Sequence, residues 1–120
     1  MKNKKIKIWE EDFVIVKSKK NNANAFVNIN DGKEITLIIN KNKVNKGDII
    51  ENNDNWKLIT FDMSLPFELI GFIAKVSKAL ADENISLLAF SGYSTDHILV
   101  KENNLDKTIK TLEKLGFRIT

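Results

Sequence analysis

The sequence predicts an α+β protein in which a β-rich first half precedes a β-α-β-β-α-β second half. Three observations carry that prediction. Residues Trp56–Asp62 (WKLITFD) alternate, with Trp56, Leu58 and Thr60 on one face and Lys57, Ile59 and Phe61 on the other, which is strand periodicity. Two later segments, roughly Leu69 to Glu83 and the residues after Asn104, carry apolar side chains at helical spacing. Between them, two apolar runs meet at Ser91-Gly92-Tyr93-Ser94, the composition of a turn between paired strands.

In the first half, strands are expected at Phe13–Lys17, Ala25–Asn30 and Glu34–Asn40. Asp31-Gly32 separates the last two, and Asp-Gly between apolar runs is a strong hairpin signal. Val27 and Ile29 share one face of the first arm; Ile35, Leu37 and Ile39 share one face of the second. No amphipathic helix of normal length is legible here. The Lys41–Lys46 run reads as a solvated loop, Lys46-Gly47-Asp48 as a turn, and Asn52-Asn53-Asp54-Asn55 as a polar connection.

In the second half, Met63–Glu68 reads as a loop holding Pro66, the only proline, which disfavours helix at Leu65. The first helix buries Leu69, Phe72, Ile73, Val76, Ala79 and Leu80, with Lys75, Lys78, Asp82 and Glu83 outside. Ile85–Phe90 reads as a strand buried on both faces, and Thr95–Lys101 as its returning partner. Asn103 or Asn104 is placed to cap the second helix, Leu105, Ile109 and Leu112 to form its stripe, and Gly116 to stop it. Phe117–Thr120 closes the chain as a short strand. This order is the split βαβ, or ferredoxin-like, topology: two helices on one face of an antiparallel sheet. The domain boundaries expected are 1–55 for the β-rich half and 56–120 for the βαββαβ half. The second sheet face needs a cover, from the first half or from a second chain.

The composition narrows function. At 120 residues, 42% hydrophobic and 29% charged, the chain is long enough for a core without staples. It has no cysteine and one histidine, His97, so thiol chemistry and zinc-thiolate sites are out, and no EF-hand spacing occurs. The N-terminus, MKNKKIKIWEE, lacks the apolar run of a secretory signal, and no apolar run reaches the ~20 residues that span a bilayer. A cytoplasmic location away from membranes is expected. The net charge of +3 is almost all lysine, spread along the chain among Asp and Glu, with Arg118 the only arginine. A nucleic-acid binder would concentrate Lys and Arg on one face. An RRM shares the βαββαβ order, but its third strand carries K/R-G-F/Y-G/A-F-V-x-F/Y. The strand Thr95-Asp96-His97-Ile98-Leu99-Val100 is aliphatic and begins with an acid. No nucleic-acid partner is expected. G-x-x-x-x-G-K-S/T, G-x-S-x-G and H-E-x-x-H are all absent, and the nearest paired acids, Asp62 and Glu68, are not shown to converge, so no enzymatic activity and no cofactor are expected.

The run from Pro66 to Val100, with PFELIGF and then ISLLAFSGYSTDHILV, resembles the ACT domain. More narrowly, the chain is similar to small tandem-ACT proteins of the CASTOR type and to the regulatory part of aspartate kinases, where a degenerate, helix-poor ACT-like half precedes a well-formed one. The similarity is strong over residues 56–117 and extends in layout over residues 8–55. It departs from the usual pattern at His97, where an aromatic is common, and at the abrupt end after Arg118-Ile119-Thr120.

The resemblance implies a homodimer that binds a small effector, most often an amino acid, and regulates an enzyme in trans. It places the effector site on the loop Ser64 to Gly71, with Ser64, Pro66, Phe67, Leu69, Ile70 and Gly71, and on the turn residues Ser91, Thr95 and Asp96. The chemistry suits that ligand: a helix N-terminus favours a carboxylate, a glycine lets the ligand approach backbone, and an aspartate accepts from an ammonium. Each residue also has a structural reading. Gly71 serves close helix–sheet packing, Asp96 an Asx-type turn, Ser91 and Thr95 the turn itself. His97 faces solvent or a partner in a structural role, and Trp9 and Trp56 anchor a core or an interface. The rival function is an ACT-like assembly module that dimerises without a ligand.

Overall fold

The computed structural model describes residues 4–63 and 70–120. The chain divides into two compact units, one formed by Met1–Glu10 with Lys57–Thr120 and the other by Glu11–Trp56.

The Glu11–Trp56 unit is all β. Strands β2 (Phe13–Ser18), β3 (Val27–Asn30) and β4 (Ile35–Asn40) join the first residues of β5 (Ile49–Phe61) in the order β3-β4-β2-β5. β3 and β4 form the expected hairpin, with Asn30 opposite Ile35. Asp31 Oδ1 accepts from the N–H groups of Lys33 (2.9 Å) and Glu34 (3.0 Å). These bonds, Glu34's first, hold the Asp31 carboxyl below its ordinary value. Val14, Val16, Leu37 and Ile39 make the core, as the alternation of β4 requires. The Lys41–Lys46 stretch contains a 3-10 turn at Lys41–Lys43, followed by another at Lys46–Asp48.

Asn52–Asn55 is not a connection but part of β5. Asn52 and Asn53 pair with Val16 and Ile15, so tertiary pairing overrides the weak strand propensity of Asn. The poor fit shows as a bulge: Phe13 to Ile15 spans two residues on β2 while Trp56 to Asn53 spans three on β5. Asn55, with φ 68°, absorbs the extra residue, and Asn tolerates that conformation better than most side chains.

The Lys57–Thr120 unit has the sheet order β6-β7-β5-β1-β8, from β6 (Leu87–Ser91), β7 (Asp96–Lys101), the last residues of β5, β1 (Lys5–Ile8) and β8 (Arg118–Ile119). Helices α1 (Phe72–Asp82) and α2 (Leu105–Lys114) lie on one face. Ile6, Ile59, Phe61, Ile98 and Val100 of the strands meet Val76 and Leu80 of α1 and Leu112 of α2 in one core. The order is ferredoxin-like with one insertion. The closing strand β8 pairs in parallel with β1, which itself pairs antiparallel with β5. KIKI among lysines is too short to argue for a strand from the sequence; its two isoleucines are placed by the core they enter.

Several expectations change. α1 begins at Phe72 rather than Leu69, because Gly71 before it has a left-handed φ of 87° that a helix cannot contain. β6 is not buried on both faces: Leu88 is 39% exposed and Ala89 is exposed, because among the described residues β6 pairs only with β7 and forms a sheet edge. Asn104 sits at the start of α2 without a side-chain capping bond. The buried face of α2 also includes Thr108 and Thr111, whose hydroxyls donate to the carbonyls of Asn104 and Lys107.

Candidate functional site

Five of the expected site residues, Ile70, Gly71, Ser91, Thr95 and Asp96, are described, and they fall at the end of the sheet where β5 finishes and α1 begins. β7 starts beside that end, since Thr60 of β5 bonds His97 of β7 at 2.9 Å. Ser64, Pro66, Phe67 and Leu69 lie outside the described residues. The other five form two clusters that do not share a lining.

The first cluster is the β6–β7 turn. It is closed by the Gly92 N–H donating to the Thr95 carbonyl at 2.8 Å. Ser91 and Asp96 face each other across the pair, and the Ser91 hydroxyl donates to the Asp96 carboxylate. Thr95 Oγ1 lies 3.3 Å from His97 Nε2. His97 is 9% exposed, so it is buried in the chain rather than at the solvent. Its ring stacks on Phe90, with centroids 5.2 Å apart at 23°.

Beneath the turn, the polar groups form a chain on the sheet face away from the helices. The Trp9 indole N–H donates to Thr60 Oγ1 at 2.8 Å, while Lys7 Nζ sits 3.7 Å over the Trp9 ring. An indole nitrogen only donates, so Thr60 accepts there, and its own proton can go to a neutral His97 Nδ1. In that tautomer the imidazole proton sits on Nε2 facing Thr95, and the neutral ring serves both hydroxyls. Burial pushes the His97 pKa down from its ordinary value, against a smaller upward pull from the Asp96 charge. Sequence reasoning missed this chain because its members come from three strands.

The second cluster surrounds Gly71. A Cβ added there would meet no atom within 4 Å, so the glycine is required by its left-handed φ and not by close packing. Ile70 is 94% exposed. Both residues border a cleft of about 610 Å³ between the start of α1 and the end of α2. Phe72, Val76, Leu115 and Phe117 form its apolar floor, and Lys4, Lys75 and Lys114 its rim. Phe61, Phe72 and Phe117 pack edge to face at 5.2 to 6.1 Å and make that floor rigid. The three lysines gave no signal in the sequence because only the fold gathers them.

Among the described residues, no group of three or more His, Asp or Glu is placed to hold a metal ion. No helix among them is long and apolar enough to cross a membrane.

Comparison with known proteins matches these features to one family. The ACT domain model matches residues 51–114. A crystal structure of a protein from Agobacterium tumefaciens is similar with a TM-score of 0.84 at 20% identity, covering 100% of this chain and 94% of that one. The ligand-free regulatory subunit of aspartate kinase from Thermus thermophilus gives 0.66 at 7% identity, covering 91% and 95%. The allosteric aspartate kinase of Clostridium acetobutylicum gives 0.68 at 15% identity, covering 90% of this chain and 33% of that one. No curated protein matches. With more than half of its length matched by the family model, the chain belongs to the ACT domain family.

Proposed function

We propose that this protein is a non-catalytic regulatory module that binds a small amino acid and passes the signal, as a homodimer, to an enzyme in trans. The observation that carries the reading is the ACT match across residues 51–114, in a chain where the start of α1 and the Ser91–Asp96 turn lie at the same end of the sheet. The likeness in fold to aspartate kinase regulatory subunits supports it. In this reading a tandem arrangement of ACT-like halves, 1–55 and 56–120, presents the ligand to the loop from Ser64 to Gly71 and to Ser91, Thr95 and Asp96. Asp96 accepts from the ligand ammonium and the start of α1 receives its carboxylate.

The test is a thermal-shift screen of the purified protein against the twenty amino acids, repeated with Asp96→Ala. A ligand at a hundred times its Kd adds about 2.7 kcal/mol, a rise of roughly 10 °C for a domain of this size. One amino acid raising Tm, with the rise lost in Asp96→Ala and the unliganded Tm kept, supports the reading. A rise that survives the substitution sinks the site assignment.

A second reading is a ligand-free assembly module. It is favoured by the Asp96 carboxylate being engaged by Ser91, and by the open edge of β6 with Leu88 exposed. Silence across saturating amino acids from a protein that elutes as a dimer would select it.

A further inference from the structure

We propose that the cleft beside Gly71 binds a monocarboxylate with an apolar chain or ring and no ammonium group, at a site separate from the Ser91–Asp96 turn. The proposal goes beyond the amino-acid reading. It rests on the cleft and its charge, not on the family.

The volume, about 610 Å³, lies within the roughly 300–1,000 Å³ of small-molecule pockets. The floor of Phe72, Val76, Leu115 and Phe117 has only apolar side chains to offer, so the body of the ligand must be apolar. The rim carries one sign of charge. Among the described residues, Lys4, Lys75 and Lys114 border the cleft, no acid lines it, and none of the three has an acidic partner.

Lys4 is held in place, its Nζ donating to the Leu115 carbonyl at 3.0 Å and standing 5.4 Å from the Phe117 ring centroid. An ammonium has three donors, so Lys4 keeps two for a ligand. Lys75 follows the first turn of α1, which contains no acid, so its charge adds to the positive end of that helix. An anion relieves this clustering. A zwitterion relieves it less, because its ammonium meets the lysines and finds no carboxylate among the described lining residues. Within the cleft this favours a carboxylate alone over a free amino acid, whose ammonium needs Asp96, a residue outside the lining.

The experiment titrates the full-length, isotopically labelled protein with octanoate and follows backbone amide shifts. Octanol and inorganic phosphate serve as controls for the body alone and the anion alone. Octanoate is expected to shift Phe72, Leu115 and Phe117 saturably, with octanol and phosphate far weaker. Lys75→Glu with Lys114→Glu is expected to weaken octanoate by about tenfold or more. Raising salt to ~1 M is expected to weaken it in the unmodified protein, which keeps the charge test available should the double variant fold poorly.

Asp96→Ala is expected to leave octanoate binding unchanged, so loss of the amino-acid response and loss of this site are read separately. No saturable shift at the three amides overturns the proposal. So does phosphate binding as well as octanoate, or octanoate binding that neither charge reversal nor salt changes.

Discussion

The turn at Ser91–Asp96 and the cleft at Gly71 hold the described residues of one expected site, and they treat polar groups in opposite ways. In the turn, Ser91 serves Asp96, while His97 is held between Thr60 and Thr95. Around the cleft, the described residues gather positive charge without an opposite charge, over an apolar floor. A ligand at the turn shares Asp96 with Ser91, whereas one entering the cleft meets lysines with no acidic partner among the described residues. The difference teaches that suitable residue types are not equivalent to available ones.

The largest way to break the comparison is at the cleft floor. Phe117 is 5% exposed and packs on both Phe61 and Phe72. Phe117→Ala should cost about 3–5 kcal/mol, read as a lower urea midpoint at unchanged slope. A loss under about 1 kcal/mol would mean that the floor is a surface and not part of the core.

Next is the chain beneath the turn. Thr60→Val keeps the shape and removes the hydroxyl that serves Trp9 and His97. The expected loss is about 1–3 kcal/mol by the same measurement. A neutral result would show that those groups find other partners.

Gly71→Ala should cost about 1–2 kcal/mol through backbone strain alone, since the added Cβ has open space. Gly71→Asn should cost less, because Asn tolerates the left-handed region. Equal costs would point to a steric cause.

The smallest effect is a pH dependence. The His97 pKa is lowered on folding, so the unfolded chain binds more protons as pH falls. The stability due to the neutral ring is complete above the unfolded value of about 6.5 and is lost as pH drops through it toward the lowered folded value. Tm should decline between pH 7.5 and 5.5, and His97→Gln should flatten the decline. A slope unchanged in the variant would assign the dependence to other groups.

The second half was legible because its periodicities are long. Val76, Leu80 and Leu112 are buried where the helical spacing puts them, and Ile59 and Phe61 share the face that alternation gives. The Asp31-Gly32 hairpin was legible because its turn chemistry is local. What escaped depends on distant pairing. Lys5–Ile8 becomes a strand only between β5 and β8, and Asn52–Asn55 only against β2. β6 looked fully buried because its composition is apolar, and composition does not say which strand stands at an edge. Of the candidate site, the turn and the glycine were visible in sequence. The chain of bonds behind the turn and the lysines around the cleft were not, because each joins residues that only the fold makes neighbours.

The parallel pairing of β1 with β8 also has a kinetic side. Lys4 and Leu115, bonded across it, are 111 positions apart. Closing a loop of that length costs conformational entropy before any contact repays it, and topologies rich in such contacts fold slowly. The local β6–β7 hairpin and the two helices can form early, but the sheet is complete only when the first strand finds the last. The joining of β1 and β8 is therefore expected to be a late event, with destabilising changes in β8 speeding unfolding more than they slow folding.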